Sequence, residues 1–336
     1  MRAFVTGGAG FLGQQVVKGL LAQGHHVVCL LRTRSNAEGL RGMSTTSDRG
    51  RLELVRGTLG QPESYREALA GCDVVFHLAA EMRGAVAVLF MTNVVATRAF
   101  LEASRRAGVG RFVLVSSFGV YGTAGVQRHG VLDESCALDP QPHLRDPYSY
   151  SKIAEEHVAW RAHREAGLPL VVVRPGVIYG PGRDWVSSRV GLRLGNTVIK
   201  MGGRQIVPYT YVDNCADAVH RAGVVPGIEG HAFNVVDDHL PTANGLLRYY
   251  RRHVRRLRVI PVPGWAIGPL SGACQWYHDY SRGQLPAVIS PYRSAAMWKP
   301  LRYSNDKARR MLAWQPAVSF ADGLARTARS LSGGPN

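Results

Sequence analysis

The sequence predicts an α/β protein, a doubly wound parallel sheet with a smaller C-terminal substrate-binding cap, and three observations carry that expectation. Short apolar runs alternate with longer amphipathic stretches through the first half of the 336 residues. The runs are continuously apolar, as in strands covered by helices on both faces. A glycine-spaced turn, "TGGAGFLG", separates the first run from the first amphipathic stretch, where doubly wound sheets place a phosphate-binding turn.

Each element follows from its own pattern. Residues 1–5, 27–31, 52–55, 74–78, 112–115 and 170–173 read as buried strands. Residues 12–22, 64–70, 86–107 and 149–166 read as helices between them. Strands alternating with helices form βαβ units and pair in parallel. Beyond Gly176 the chain loosens into glycine- and proline-marked loops, with helices expected over 214–223 and 244–257. The expected division is a sheet domain over residues 1–175 and a cap over 176–336, interleaved with the last strands. No apolar run reaches the roughly 18 residues of a membrane-spanning helix.

The glycines have separate tasks. Gly7 permits a tight turn, Gly10 lets backbone approach a pyrophosphate, and Gly13 lets helix and strand pack closely. Unpaired N–H groups at the helix start then attract the anion. A lone glycine pattern is weak evidence, but this one follows a strand and opens a helix. Which dinucleotide binds is decided at the end of the second strand, where an acidic residue would hold a ribose 2′-hydroxyl and arginine a 2′-phosphate. "VVCLLRTRSN" places Arg32 and Arg34 there, which favours NADP(H) and leaves NAD(H) as the alternative. The plainer reading is two solvated loop arginines.

Tyr148 and Lys152 in "DPYSYSKIAEEHVA" are four apart and share one helix face. An ammonium beside a phenol favours phenolate, so the expected tyrosine pKa lies below its usual value near 10. Tyr148 is then a proton donor or acceptor for a carbinol oxygen, and Ser117, at the carboxyl end of a strand, bonds the same oxygen. Tyr150, only two residues from Lys152, has the wrong spacing for this role.

With these motifs in order the chain resembles the extended short-chain dehydrogenase/reductase family, the likeness covering nearly its whole length. "HLAA" is similar to the segment beneath adenine and ribose, and Asn93 in "TNVVATRAFLEAS" to the family's helix asparagine, counted with the catalytic set. "VSSFGVYG" matches the serine motif, "YSYSK" the tyrosine–lysine motif, "RPGVIYGPG" the segment passing the nicotinamide, and "YTYVDNCADAV" the later substrate-side helix entry. The resemblance implies a Rossmann domain. It also implies cofactor contacts at Gly7, Gly10, Phe11, Leu12, Gly13, Arg32, Arg34, Thr58, Leu59, Leu78, Ala79, Ala80, Asn93, Val115, Tyr148, Lys152, Pro175, Gly176, Val177 and Ile178. Lys152 would also touch the nicotinamide ribose. Substrate contacts are implied at Ser117, Phe118, Tyr148 and Trp185.

Two departures from the family's pattern stand out, one at the adenine and one on the substrate side. "RGTLG" supplies Thr58 where an acidic residue near adenine is common, so adenine recognition there differs. Val207 and Pro208 stand where many nucleotide-sugar members carry an Arg–Asp pair, and neither can pair with a diphosphate. The stretch is closer to the 3β-hydroxysteroid dehydrogenase-like and dihydroflavonol-reductase-like branches.

A formal net charge of +17 favours an anionic partner. Arg248, Arg251, Arg252, Arg255 and Arg256 recur at helical spacing, which reads either as a solvated face or as peripheral contact with a membrane surface or a phosphate. Aromatic segments with Trp265, Trp276, Tyr277 and Tyr280 follow, and could equally be cap core. No nucleic-acid recognition motif accompanies the charge. Five scattered cysteines without a CxxC pair suit a reducing cytoplasm. Twelve dispersed histidines show no ligand spacing, so no catalytic metal is expected, and His77 is expected to pack or hydrogen-bond near the sheet end. A homodimer is compatible with the family likeness.

The expected function is hydride transfer between NAD(P) and a secondary alcohol or ketone on a lipophilic or polycyclic substrate. The alternatives are a nucleotide-sugar epimerase/dehydratase with tightly bound NAD, and a non-catalytic dinucleotide-binding scaffold, against which the complete serine, tyrosine and lysine set argues.

Overall fold

The computed structural model describes residues 1–33, 35–46, 50–201, 205–282, 284 and 289–332. The chain opens β1 (Arg2–Thr6), α1 (Phe11–Ala22), β2 (His26–Leu31), α2 (Glu38–Thr46), β3 (Arg51–Arg56), α3 (Arg66–Leu69) and β4 (Val74–His77). A long helix follows, α4 (Val86–Phe90) running through a π-helical turn (Met91–Ala96) into α5 (Thr97–Arg106). Then come β5 (Arg111–Val115), β6 (Val131–Leu132), α6 (Pro147–Ala166) and β7 (Leu170–Pro175).

Seven strands form the main sheet in the order β12-β7-β5-β4-β1-β2-β3, with β12 spanning His231–Val235, and every pair is parallel. Strand alternation divides the core between the two faces of this sheet. On β1, Phe4 joins one apolar cluster with Val28 and Phe112, whereas Ala3 and Val5 join the other with Val27 and Val113. All three β1 residues are fully buried. That explains the unbroken apolar runs.

Three small sheets lie outside the main one. β9 (Gly191–Leu194) and β10 (Thr197–Met201) pair antiparallel, and β10 pairs in parallel with β13 (Arg258–Val262). β8 (Val177–Tyr179) pairs with β11 (Tyr209–Tyr211), and β6 with β14 (Arg302–Tyr303). The helices are α7 (Val212–Val224), α8 (Ala243–His253), α9 (Gly264–Tyr280), α10 (Pro291–Trp298), α11 (Asp306–Leu312) and α12 (Phe320–Ser332).

Two expectations are corrected. The helix expected over 244–257 ends at His253, because the chain must swing out to place β13 beside β10 and bury Leu257 in the core. Arg255 and Arg256 are therefore outside the helix, and the arginine stripe is not one helical face. Second, Val86–Arg106 is 21 residues long and apolar enough to cross a membrane by length and composition. Its Leu89, Phe100 and Leu101 are nonetheless buried in the protein, with Phe100 packed against Phe4 and Phe112.

Candidate active site

β1 and β4 are neighbours where the strand order reverses, the place where doubly wound sheets bind ligands. The glycine turn lies in this crevice. Gly7 adopts φ +73°, and a Cβ there would sit 2.7 Å from the Ala79 amide nitrogen. A Cβ on Gly13 would sit 2.0 Å from the Gly7 carbonyl oxygen. Gly10 precedes α1 without a side-chain cap, so the first N–H groups of the helix stay free for an anion. The uncapped cradle fits a dinucleotide pyrophosphate. Phe11 and Leu12 form the first turn of α1. Gly8 also has a task that the motif spacing did not reveal: a Cβ there would lie 2.9 Å from Cys29 Sγ.

Leu78, Ala79 and Ala80 continue from β4 and are tied to the turn. The Leu78 amide donates to the Thr6 carbonyl (3.1 Å) and the Ala79 amide to Thr6 Oγ1 (3.3 Å). Arg32 directly follows β2, with its side chain 74% exposed and Nη1 3.4 Å from Glu81 Oε2; Arg34 lies outside the described residues. Arg56, unnoticed in the sequence, donates through Nη1 to the carbonyls of Arg32, Thr33 and Ser35 at 2.7, 3.0 and 3.2 Å, and so shapes the Arg32 loop. After β3, the Thr58 amide donates to Ser64 Oγ (3.1 Å), and the Leu59 carbonyl accepts from Tyr65 (2.9 Å).

The Ser–Tyr–Lys set converges across β5 and α6. Asp146 caps α6 by accepting from the Ser149 amide (3.0 Å), and Pro147 occupies the first helical position. The helix thus begins two residues before the expected start, which puts Tyr148 in its first turn. Lys152 Nζ donates to the Val115 carbonyl (3.0 Å), fixing α6 to the end of β5. Ser117 accepts from the Gly119 amide (3.0 Å), and its hydroxyl lies close enough to the Tyr148 phenol to influence its titration.

Electrostatics correct one expectation. Burial raises the Tyr148 pKa, and it outweighs the lowering by Lys152 and by the Ser117 hydroxyl. A smaller contribution of the same sign lies one turn further along α6. Glu155, fully buried, forms an ion pair with Lys152 and raises the Tyr148 pKa through its own charge. Desolvation pushes Glu155 up to about 7. Its Oε1 is 3.7 Å from His77 Nε2. The neighbouring Glu156 serves elsewhere, accepting from Ser116 (2.6 Å) and Trp160 (3.0 Å) and pairing with Arg174.

Asn93 lies in the π-helical turn, a form that recurs at functional sites. Its Nδ2 donates to the Glu81 carbonyl and Ser151 Oγ, both at 2.9 Å, and its Oδ1 accepts from the Glu81 amide (2.7 Å). Those bonds hold the loop after β4 onto α6. Asn93, expected in the catalytic set, thus has its side-chain amide bonded to the Glu81 backbone and to Ser151.

On the substrate side, Pro175, Gly176, Val177 and Ile178 carry the chain from β7 into β8. A Cβ on Gly176 would lie 2.2 Å from the Pro208 carbonyl oxygen. Phe118 and Trp185 do not fit the expectation of substrate contact. Phe118 is 2% exposed and stacked on Tyr303. Trp185 is 1% exposed, edge-on to Tyr250, and its carbonyl accepts from Tyr209. Both are core, since the cap folds its own aromatics over them. Arg183, which no motif singled out, is half-buried with its guanidinium 5.2 Å from the Phe11 ring centroid, close enough to Tyr148 to interact with its charge.

The NAD dependent epimerase/dehydratase family model matches residues 3–235. Along the whole chain, a 2-alkyl-3-oxoalkanoate reductase of Stenotrophomonas maltophilia (strain K279a) is 31% identical, covering 97% of this chain and 98% of its own. Sterol demethylase protein B of Methylococcus capsulatus (strain ATCC 33009 / NCIMB 11132 / Bath) is 32% identical over 80% of this chain and 78% of its own. Among solved structures, a double mutant of DesIV, a dTDP-glucose 4,6-dehydratase from Streptomyces venezuelae with NAD and DAU bound, superposes with a TM-score of 0.72. It is 26% identical, over 98% of this chain and 96% of that one. The crevice, its glycine cradle and the Ser–Tyr–Lys set thus lie in a chain that belongs to the NAD-dependent epimerase/dehydratase family of extended short-chain dehydrogenases/reductases, enzymes that work with an NAD(P) dinucleotide.

Proposed function

We propose that this enzyme is an NADP(H)-dependent reductase or dehydrogenase of a secondary alcohol or ketone on a lipophilic or polycyclic substrate. The carrying observation is the gathering of Ser117, just past the end of β5, with Tyr148 and Lys152 on the first turns of α6, which Lys152 ties to β5 through the Val115 carbonyl. When bound, the nicotinamide supplies or accepts the hydride. Tyr148 gives its phenolic proton to the carbonyl oxygen in reduction and takes it back in oxidation. Ser117 holds the same oxygen. Lys152, anchored on the Val115 carbonyl, stabilises the phenolate left behind. Glycines 7, 10 and 13 cradle the pyrophosphate.

Arg32 supports the NADP(H) preference, because its exposed guanidinium stands at the end of β2. The names of the Stenotrophomonas and Methylococcus relatives, a 3-oxoalkanoate reductase and a sterol demethylase protein, support the lipophilic class. A second reading, a nucleotide-sugar epimerase/dehydratase that keeps its NAD, draws on the DesIV likeness; Val207, buried in the core, gives a diphosphate nothing to bind. Purified enzyme should consume NADPH with a 3-oxoalkanoate or 3-ketosteroid panel. Retained NAD(H) with no net change of cofactor absorbance on a nucleotide sugar would select the second reading.

Three further features belong to the same reading. Exposed Val88, Met91 and Val95, three and four residues apart, offer one helix surface that a second copy of the chain would cover in a homodimer. The five free cysteines suit a cytoplasmic enzyme. Peripheral membrane contact through the arginine-rich cap face would bring the enzyme to greasy substrates.

A further inference from the structure

We infer that the outer face built by α8, β13 and α9 docks the protein on an anionic lipid bilayer, with arginines on the phosphates and aromatic side chains at headgroup depth. The inference deepens the membrane contact proposed above and does not depend on the catalytic chemistry.

Two features, joined along the chain by β13, carry it. The first is a cavity of about 600 Å³ lined by Arg248, Arg251, Arg252, Arg256 and Arg258. Arg255 pairs with Asp184 across the Tyr250 hydroxyl, but none of the five lining arginines has an acidic partner among the described residues. Like charges gathered around one cavity repel, and an anion entering it relieves that repulsion. The cavity shares no residue with the catalytic site.

The second feature begins where β13 ends. α9 is 17 residues long and buries only Ser271. Trp265 is 81% exposed, Trp276 67%, Tyr280 74% and Tyr277 52%. Positions 265, 269, 276 and 280 follow the helical repeat, so Trp265, Pro269, Trp276 and Tyr280 share one side. No charged residue precedes Asp279 in this helix. Ile260 on β13 and Leu194 on β9 are also exposed, at 43% and 65%.

Tryptophan and tyrosine favour the headgroup level of a bilayer, and arginines beside them meet anionic phosphates. A helix carrying exposed aromatics lies in that plane. Charge argues against a second copy as the occupant: a two-fold interface is self-complementary and would set the two arginine clusters near one another.

The test uses the full chain without substrate, so its outcome is separate from that of the enzymatic reading. Vesicles of phosphatidylcholine alone are compared with vesicles that also contain phosphatidylglycerol. The protein should co-sediment with the phosphatidylglycerol vesicles only, with a blue shift of tryptophan emission and a loss of binding at high salt. The triple variant Arg248→Ala/Arg251→Ala/Arg252→Ala should bind about 100-fold more weakly, at about fivefold per arginine near the surface. Trp265→Ala/Trp276→Ala should weaken binding and remove most of the blue shift, with an unchanged circular dichroism spectrum showing that the fold persists. Absence of binding, equal binding to both vesicle types, or unchanged binding of the arginine variant would overturn the inference. So would a fall in oligomeric mass caused by either variant, which assigns the face to a second copy, or capture of duplex DNA in preference to the vesicles.

Discussion

Lys152 and Glu155 form an ion pair from which water is excluded, one helical turn apart on α6, and both act on the charge of the Tyr148 phenol. The carboxylate keeps Lys152 charged, raising its pKa, and also opposes the help that Lys152 gives Tyr148. Glu155→Gln should therefore lower the Tyr148 pKa relative to the parent. Ketone reduction needs the protonated phenol, so its alkaline limb should move to lower pH. Glu155→Asp, which keeps the charge, should move it back toward the parent. A pH series of kcat/KM checks both; reduced stability with an unmoved limb would leave Glu155 a purely structural residue.

Tyr148→Phe should remove turnover by at least about 100-fold and leave dinucleotide affinity nearly unchanged, because the ring stays and only the proton is lost. Ser117→Ala should lower kcat more than it raises KM. Lys152→Ala should damage both turnover and dinucleotide affinity. Steady-state kinetics with cofactor titration separate the three, and a Tyr148→Phe enzyme of near-parental rate would remove Tyr148 from the chemistry.

Arg32→Ala should weaken NADP(H) by about 10- to 100-fold, the worth of a charged hydrogen bond to a phosphate, with NAD(H) almost unaffected. Titration of both cofactors decides it. Equal losses, or a parent enzyme preferring NAD(H), would make Arg32 simply the exposed partner of Glu81.

Gly13→Ala should cost stability and dinucleotide affinity together. The new methyl group would meet the Gly7 carbonyl oxygen at 2.0 Å, and that contact is backbone, which cannot swing aside. A loss of about 2–3 kcal/mol is expected from such an overpacked close approach, read by urea unfolding. Gly19→Ala, where a Cβ meets nothing within 4 Å, is the matched control on the same helix.

His77 is buried between Thr6 Oγ1 (2.7 Å) and Thr97 Oγ1 (2.9 Å), and desolvation drops its pKa to about 3. The folded pKa lies below the unfolded value of 6.5, so the unfolded chain binds the proton first as pH falls. The contribution of His77 to stability is present above about pH 6.5 and is lost progressively toward pH 3. His77→Gln should be less stable at neutral pH yet show a shallower decline between those limits. Urea unfolding of both proteins across the pH range measures it.

Much of the site was legible because its chemistry is local. Continuously apolar runs need helices on both faces, glycines seven, ten and thirteen admit only a close backbone approach, and a four-residue spacing aligns Tyr148 with Lys152. What escaped the sequence depends on which distant surface a side chain meets. In "KIAEEHVA" either glutamate could reach Lys152 by helical spacing. The fold turns Glu155 to Lys152 and gives Glu156 to Arg174 and Ser116, from β7 and the end of β5. Likewise, Trp185 reads as a pocket wall until the α8 tyrosines cover it, and the arginine stripe reads as one helix face until β13 leaves to pair with β10. Local pattern determined the layers, the glycine turn and the alignment of Tyr148 with Lys152. Tertiary contacts, formed across long separations in sequence, decided which charges are paired and which remain free to meet an anion.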